Sequence, residues 1–379
     1  MSDVVSQARQ IMIRVWEVPP RQRLAVLLGW LMLWVLGWYG LLTERGLEGG
    51  DVVYLQRAIG LNWGTVWLPT PDFGFYRPLS LAMTFFWRDL FGINRISLLW
   101  LWGMLLQGVV ASLLVWLLWR LRPVWGRTAA AGFLMVAWPW SEAAIGEVMN
   151  HSFLLAGVWL LLALHVYLSG LRQGWSVWGP LLVMLGGLML LTHEMVVVLG
   201  PFVALLHWYI WPPEVGMPSL RPLLQENPWL ILMGMGIVYL AVYWFFVWPG
   251  SVLPAAGLGE MAVYLGQTAA YPLLRVLQWT PFNVEEVLVW WVMAGGTLVA
   301  AWDEERRRLL LMGWGWWLIS SLVVFWWWPL ALVQVEPEWM YLGGLGLAVV
   351  WGALIAGFAE LPYGNYVAWG IMILVLVAL

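Results

Sequence analysis

Apolar residues in this chain run in continuous blocks instead of alternating with polar ones, and Arg, Asp, Glu, Pro and Gly collect in the gaps between blocks. Most blocks are about 17 to 23 residues long, the length a helix needs to cross a bilayer. In hydrocarbon every backbone N–H and C=O has to be satisfied internally, which leaves helices or closed barrels, and unbroken apolarity selects helices. The blocks fall at 24–42, 96–119, 128–141, 150–169, 177–192, 194–211, 228–249, 286–302, 309–330, 340–359 and 365–379. This pattern predicts an all-α integral membrane protein with about eleven transmembrane helices, a single polytopic domain over residues 1–379.

Two gaps are long. The first, 43–95, holds Glu44, Glu48, Asp51, Asp72 and the triplet Tyr76-Arg77-Pro78. Within it, 79–92 is apolar but only about 14 residues long, and it carries Arg88 and Asp89, which suits a juxtamembrane helix better than a crossing. The second, 250–285, opens with Gly250, Pro254, Gly257 and Gly259 and continues as an amphipathic stretch that reads as a surface lid. Between the short blocks at 177–192 and 194–211 lies Thr192-His193-Glu194, a polar turn expected slightly within the membrane, where an acid and a histidine need a wet cavity or partners.

Charge sets the orientation. All 18 basic residues are arginine. With the N-terminus inside, twelve of these 18 fall on the inner side, among them Arg9, Arg14, Arg21, Arg23, Arg120, Arg122, Arg127 and Arg306 to Arg308. That is the positive-inside bias expected of a plasma (inner) membrane protein with a cytoplasmic N-terminus. Thirteen of the 21 acids then lie outside. The 35 tryptophans exceed what interfacial belts require and are read as belts plus bulky packing.

The same composition removes several chemistries. There is no cysteine for disulfides or thiolates and no lysine for Schiff bases. A net charge of −3 gives no sign of a nucleic-acid partner. No Gly-rich nucleotide loop is present, so activated groups have to come from a lipid-soluble donor or an ion gradient. The four histidines stand singly at 151, 165, 193 and 207, without zinc spacing, and His165 and His207 are read as packing residues. No cofactor is specified; the outer carboxylates leave open a hard divalent cation, against metal-free general-base work by one aspartate. Asp51 follows Gly49-Gly50, which suits a tight turn after the first helix and puts a carboxylate at the membrane surface. Arg77 offers a planar fork that can donate two hydrogen bonds to a phosphate. The plain alternatives are ion pairs, Asp51 with Arg57 and Arg77 with Asp72.

Four blocks carry a family resemblance, in order along the chain. They are Gly50-Asp51-Val52 with Tyr76-Arg77-Pro78-Leu79-Ser80 and Leu90-Phe91-Gly92-Ile93-Asn94; Trp138-Pro139-Trp140-Ser141-Glu142-Ala143-Ala144 continuing to Asn150-His151-Ser152-Phe153; Leu191-Thr192-His193-Glu194; and Glu338-Trp339-Met340-Tyr341-Leu342-Gly343. The sequence resembles the polytopic glycosyltransferases of the C-type (GT-C) fold, in the branch related to protein O-mannosyltransferases that often carry tetratricopeptide tails. His193 stands where the family has lysine and Trp339 where it has arginine, and these 379 residues include no such tail.

The resemblance implies an inverting transfer of a sugar from a polyprenyl-phosphate donor to a protein or glycan acceptor at the outer face. Asp51 would deprotonate the acceptor hydroxyl and Arg77 would hold the donor phosphate. Tyr76, Asp72, Glu142, His193, Glu194 and Tyr341 would line the donor cavity. Two other classes stay open: a transporter or flippase for a lipid-linked precursor, for which no inverted repeat or matched pair of broken spans is found, and a non-catalytic membrane subunit of a larger assembly.

Overall fold

The computed structural model describes residues 21–44, 49–59, 61–67, 76–92, 95–210, 229–246, 264–266, 268–269, 304–327 and 337–359. These are 90% helical, with no strand among them. Five helices are long and apolar enough to cross a membrane, within Leu24–Leu42, Ser97–Leu121, His151–Gln173, Glu304–Phe325 and Glu338–Gly357, and three shorter apolar ones lie at Trp175–Leu190, Leu199–Ile210 and Leu230–Ala241. The expected spans 286–302 and 365–379, and most of the expected lid 250–285, lie outside the described residues. The chain forms two compact units: 1–113 with 142–252, and 114–141 with 253–379.

The first unit begins with α1 (Arg21–Tyr39), which runs on into a 3₁₀ turn, Gly40–Glu44. Next comes α2 (Gly49–Ile59), so Gly49-Gly50 open a helix where a tight turn was expected, and Asp51 sits in its first turn. The helix α3 (Pro78–Phe91) is one 14-residue element, at the place of the expected short helix. Proline at its first position costs no hydrogen bond, because that N–H is an orphan in any helix. Gly92, with φ of 76°, ends α3 in a conformation that a Cβ would strain, and its N–H closes on the Arg88 carbonyl.

The long helix α4 (Ile96–Leu121) belongs to both units. In its first half Gly103 leaves room for the His151 ring and Gly108 for Met32 of α1. The pair α7 (His151–Gln173) and α8 (Trp175–Leu190) forms a hairpin around Gly174, which has φ of 92°. The expected span at 194–211 is a 3₁₀ turn, Glu194–Val198, followed by α9 (Leu199–Ile210), which packs on α10 (Trp229–Phe246). Gly200 lies against the backbone of Met233, so close that a Cβ would meet its nitrogen at 2.8 Å.

The second unit corrects one expectation. The predicted helix at 128–141 is broken: α5 (Trp125–Ala137) stops, Trp138 is extended, and α6 (Pro139–Gly146) starts afresh. Pro139 is the cause, since its ring disfavours helical geometry at the preceding residue. The core of this unit is α12 (Tyr341–Ala359), reached through the turn Pro337–Met340 and packed between α5 and α11 (Glu304–Trp327). Its glycines set the packing distance. Gly346 faces Gly313 of α11, each so close that a Cβ would meet the other's carbonyl oxygen at 2.5 to 2.8 Å, and Gly352 lies on the Arg127 carbonyl of α5. Close backbone approach at small residues is how apolar helices associate where burial of oil against oil gives no driving force.

Candidate functional site

The first unit holds a buried polar network built from the first long gap and the 193–194 turn. Leu79 donates its amide to the Leu191 carbonyl at 2.8 Å, so the start of α3 is stitched to the end of α8. That brings Arg77, just before α3, onto Glu194. Arg77 Nε donates to Glu194 Oε2 at 2.8 Å and Nη2 to Oε1 at 2.5 Å, a bidentate pair across 117 positions. Both residues are 3% exposed. The remaining Nη1 donates to Ser152 Oγ at 3.1 Å, and the guanidinium lies over the Phe153 ring. Two buried charges are tolerable in this setting because the fork fills both carboxylate oxygens and further donors find an acceptor. Arg77 pairs with Glu194; Asp72, its expected alternative partner, lies outside the described residues.

His193 is fully buried and its ring lies tilted against Phe153, 4.1 Å between ring centroids. Its Nδ1 accepts the Met195 amide at 3.1 Å and lies 3.6 Å from Glu194 Oε2. An Nδ1 that accepts an amide carries no proton, so the ring is neutral with hydrogen on Nε2, and the short approach to Glu194 is contact rather than an ion pair. His193 in this form adds no positive charge beside Glu194.

Asp51, 1% exposed, uses Oδ1 to accept the amide of Val148 at 2.7 Å, with the Met149 amide at the outer limit, 3.5 Å. The carboxylate thus caps the turn that leads into α7. The network continues: Ser152, which accepts from Arg77, donates to the Met149 carbonyl at 3.1 Å, so Asp51 and Arg77 are joined through residues 148–152. Tyr54 lies near both. Burial pushes its phenol above the ordinary value, and it feels the Arg77 and Asp51 charges in opposite senses.

The other expected site residues divide. Tyr76 is partly buried, donates to the Trp67 carbonyl at 3.0 Å, and has its phenol pushed up by that burial. Glu142 is exposed in the first turn of α6. Tyr341 is fully buried at the start of α12 and belongs to the second unit. His165 and His207 each make a hydrogen bond in the first unit, to the Leu113 carbonyl and the Tyr167 hydroxyl. Among the described residues no group of three or more His, Asp or Glu side chains converges as metal ligands would.

Ser152 and Phe153, part of the second resemblance block but given no role there, both meet the Arg77 guanidinium. Their signal was the polar start of an apolar helix, Asn150-His151-Ser152, where a serine in the first turn can accept from a neighbour while donating to its own backbone. Compared with known proteins, the chain matches no family model, no curated protein and no solved structure.

Proposed function

We propose that this chain is a membrane glycosyltransferase that moves a sugar from a polyprenyl-phosphate donor to a protein or glycan acceptor. In this reading it acts at the outer face of an inner membrane, with its N-terminus in the cytoplasm. The observation that carries the reading is the joining of Asp51, Arg77 and Glu194 in one buried network, although they come from three separate segments. The Glu194 carboxylate occupies on Arg77 the bidentate position that two phosphate oxygens would take. In the reaction the acceptor oxygen attacks the anomeric carbon, the carbon–oxygen bond to phosphate breaks, and polyprenyl phosphate leaves on Arg77 with inversion at carbon. The acceptor proton passes to Asp51 Oδ2, the oxygen not used on the Val148 amide. For phosphate to reach Arg77, Glu194 has to swing off the fork, so the described arrangement is the resting state.

A second reading has support from one observation, the ion pair buried beside apolar helices. Transporters and flippases use such pairs along their pathways. Purified protein incubated with polyprenyl-phosphate sugars and candidate acceptors separates the two. Turnover that disappears in Asp51→Asn supports transfer. Full turnover in that variant removes Asp51 as the base, and lipid movement across vesicles without any turnover favours transport.

A further inference from the structure

We infer that a groove between α2, α3 and the start of α4 seats one anionic bilayer phospholipid, its phosphodiester at Arg88 and Arg95 and a chain segment along the apolar wall. The groove holds about 450 Å³, including space open to the surroundings, and its wall is Leu55, Ala58, Phe85, Phe91, Leu98 and Leu99. It is separate from the Asp51–Arg77 network and does not depend on the sugar-transfer reading.

Charge selects the occupant. Arg88 stacks on Phe85 and spends its Nε on Asp89 at 2.8 Å, and Asp89 also accepts from Trp63 Nε1 at 2.9 Å. Arg95 also lines the groove; it is exposed, and its guanidinium has no hydrogen bond or ion pair among the described residues. Two guanidiniums against one carboxylate leave a surplus of one positive charge, which one phosphodiester neutralises. The surroundings place that charge at a lipid interface. Val52 and Val53 on α2 and Phe86 and Leu90 on α3 are exposed, and so are Trp63 and Trp67 in the connection between the two helices. Short amphipathic helices with exposed aliphatic and indole side chains are what lies in the headgroup layer.

The test is native mass spectrometry of the full chain in non-ionic detergent, titrated separately with phosphatidylglycerol, phosphatidylcholine, a polyprenyl phosphate and inorganic phosphate. One phosphatidylglycerol is expected to bind at least fivefold more tightly than phosphatidylcholine, the usual contribution of one basic side chain at an anionic surface. Arg95→Gln, at an exposed position, should remove that preference. Asp89→Asn, which removes the negative charge opposing Arg88, should increase it, and Leu99→Trp, which fills the groove, should abolish binding with the charges intact. Arg57→Gln on α2, outside the groove, should change nothing. Equal binding of the two phospholipids, an unaltered Arg95→Gln, or polyprenyl phosphate or inorganic phosphate displacing phosphatidylglycerol at equal concentration would each overturn the assignment.

Discussion

The Arg77–Glu194 pair gives the sharpest test of the network. Removing one partner leaves the other charged, 3% exposed and facing apolar helices, a situation that costs about 3–5 kcal/mol. Arg77→Met and Glu194→Leu should each destabilise by that amount. The double variant removes both charges together, so its cost should lie about 2–3 kcal/mol below the sum of the singles, a coupling in the range of contacting charged groups. Reversible unfolding by SDS in mixed micelles, read by circular dichroism, gives the three free energies. Strict additivity would refute the reasoning, because it would mean that the two side chains do not depend on each other. Single-variant costs below about 1 kcal/mol would do the same, since losses of that size belong to solvated pairs.

Four further outcomes follow from the same geometry. Ser152→Ala removes the acceptor of Arg77 Nη1 and should cost about 1–3 kcal/mol in the same unfolding assay. Asp51→Ala should lose about 1–3 kcal/mol, the size of an orphaned Val148 amide, whereas Asp51→Asn keeps an oxygen acceptor and should lose under about 1 kcal/mol while abolishing sugar transfer. Gly346→Ala should destabilise by about 1–3 kcal/mol because its Cβ would sit 2.5 Å from the Gly313 carbonyl; cross-linking of cysteines placed on α11 and α12 reports the separation. Glu194→Gln should lower stability and raise the affinity for a lipid phosphate, measured by binding of a labelled polyprenyl phosphate; reduced affinity would show that Glu194 helps to hold the donor.

The helices were legible because continuous apolarity leaves the backbone few ways to satisfy itself, and the spans near 96–119 and 150–169 match α4 and α7 closely. The break at Trp138 was readable in principle, since the proline beside it is plain in the sequence, but the apolar composition of 128–141 masked it. Asp51, Arg77, His193 and Glu194 were all singled out. What the sequence could not supply was their pairing. Arg77 had an acid five positions away in Asp72 and found one 117 positions away in Glu194, because the amide of Leu79 ties α3 to the end of α8. The capping role of Asp51 was hidden for a related reason: it is made with backbone amides, which carry no residue identity. Glycine spacing on α12 was visible, but its partners on α5 and α11 depend on tertiary contacts between segments far apart.

The bidentate pair also shapes how the proposed chemistry would proceed. Arg77 has three donor positions in use, two on Glu194 and one on Ser152, so a donor phosphate competes with Glu194 before it gains anything from the fork. If the open arrangement is rare, apparent affinity falls by the fraction of molecules in which Glu194 has released Arg77. The released carboxylate, in turn, has to be accommodated. His193, neutral beside it, can donate through neither nitrogen without giving up the Met195 amide or turning its ring. In the proposed reaction an opening step would therefore involve the turn that carries both residues, and the hydrogen bond between Leu79 and Leu191 would couple it to α3. Asp51 is held from the other end by the residues that follow α6. An acceptor reaching Asp51 and a phosphate reaching Arg77 would act on one connected structure, which gives a physical route for binding at one position to prepare the other.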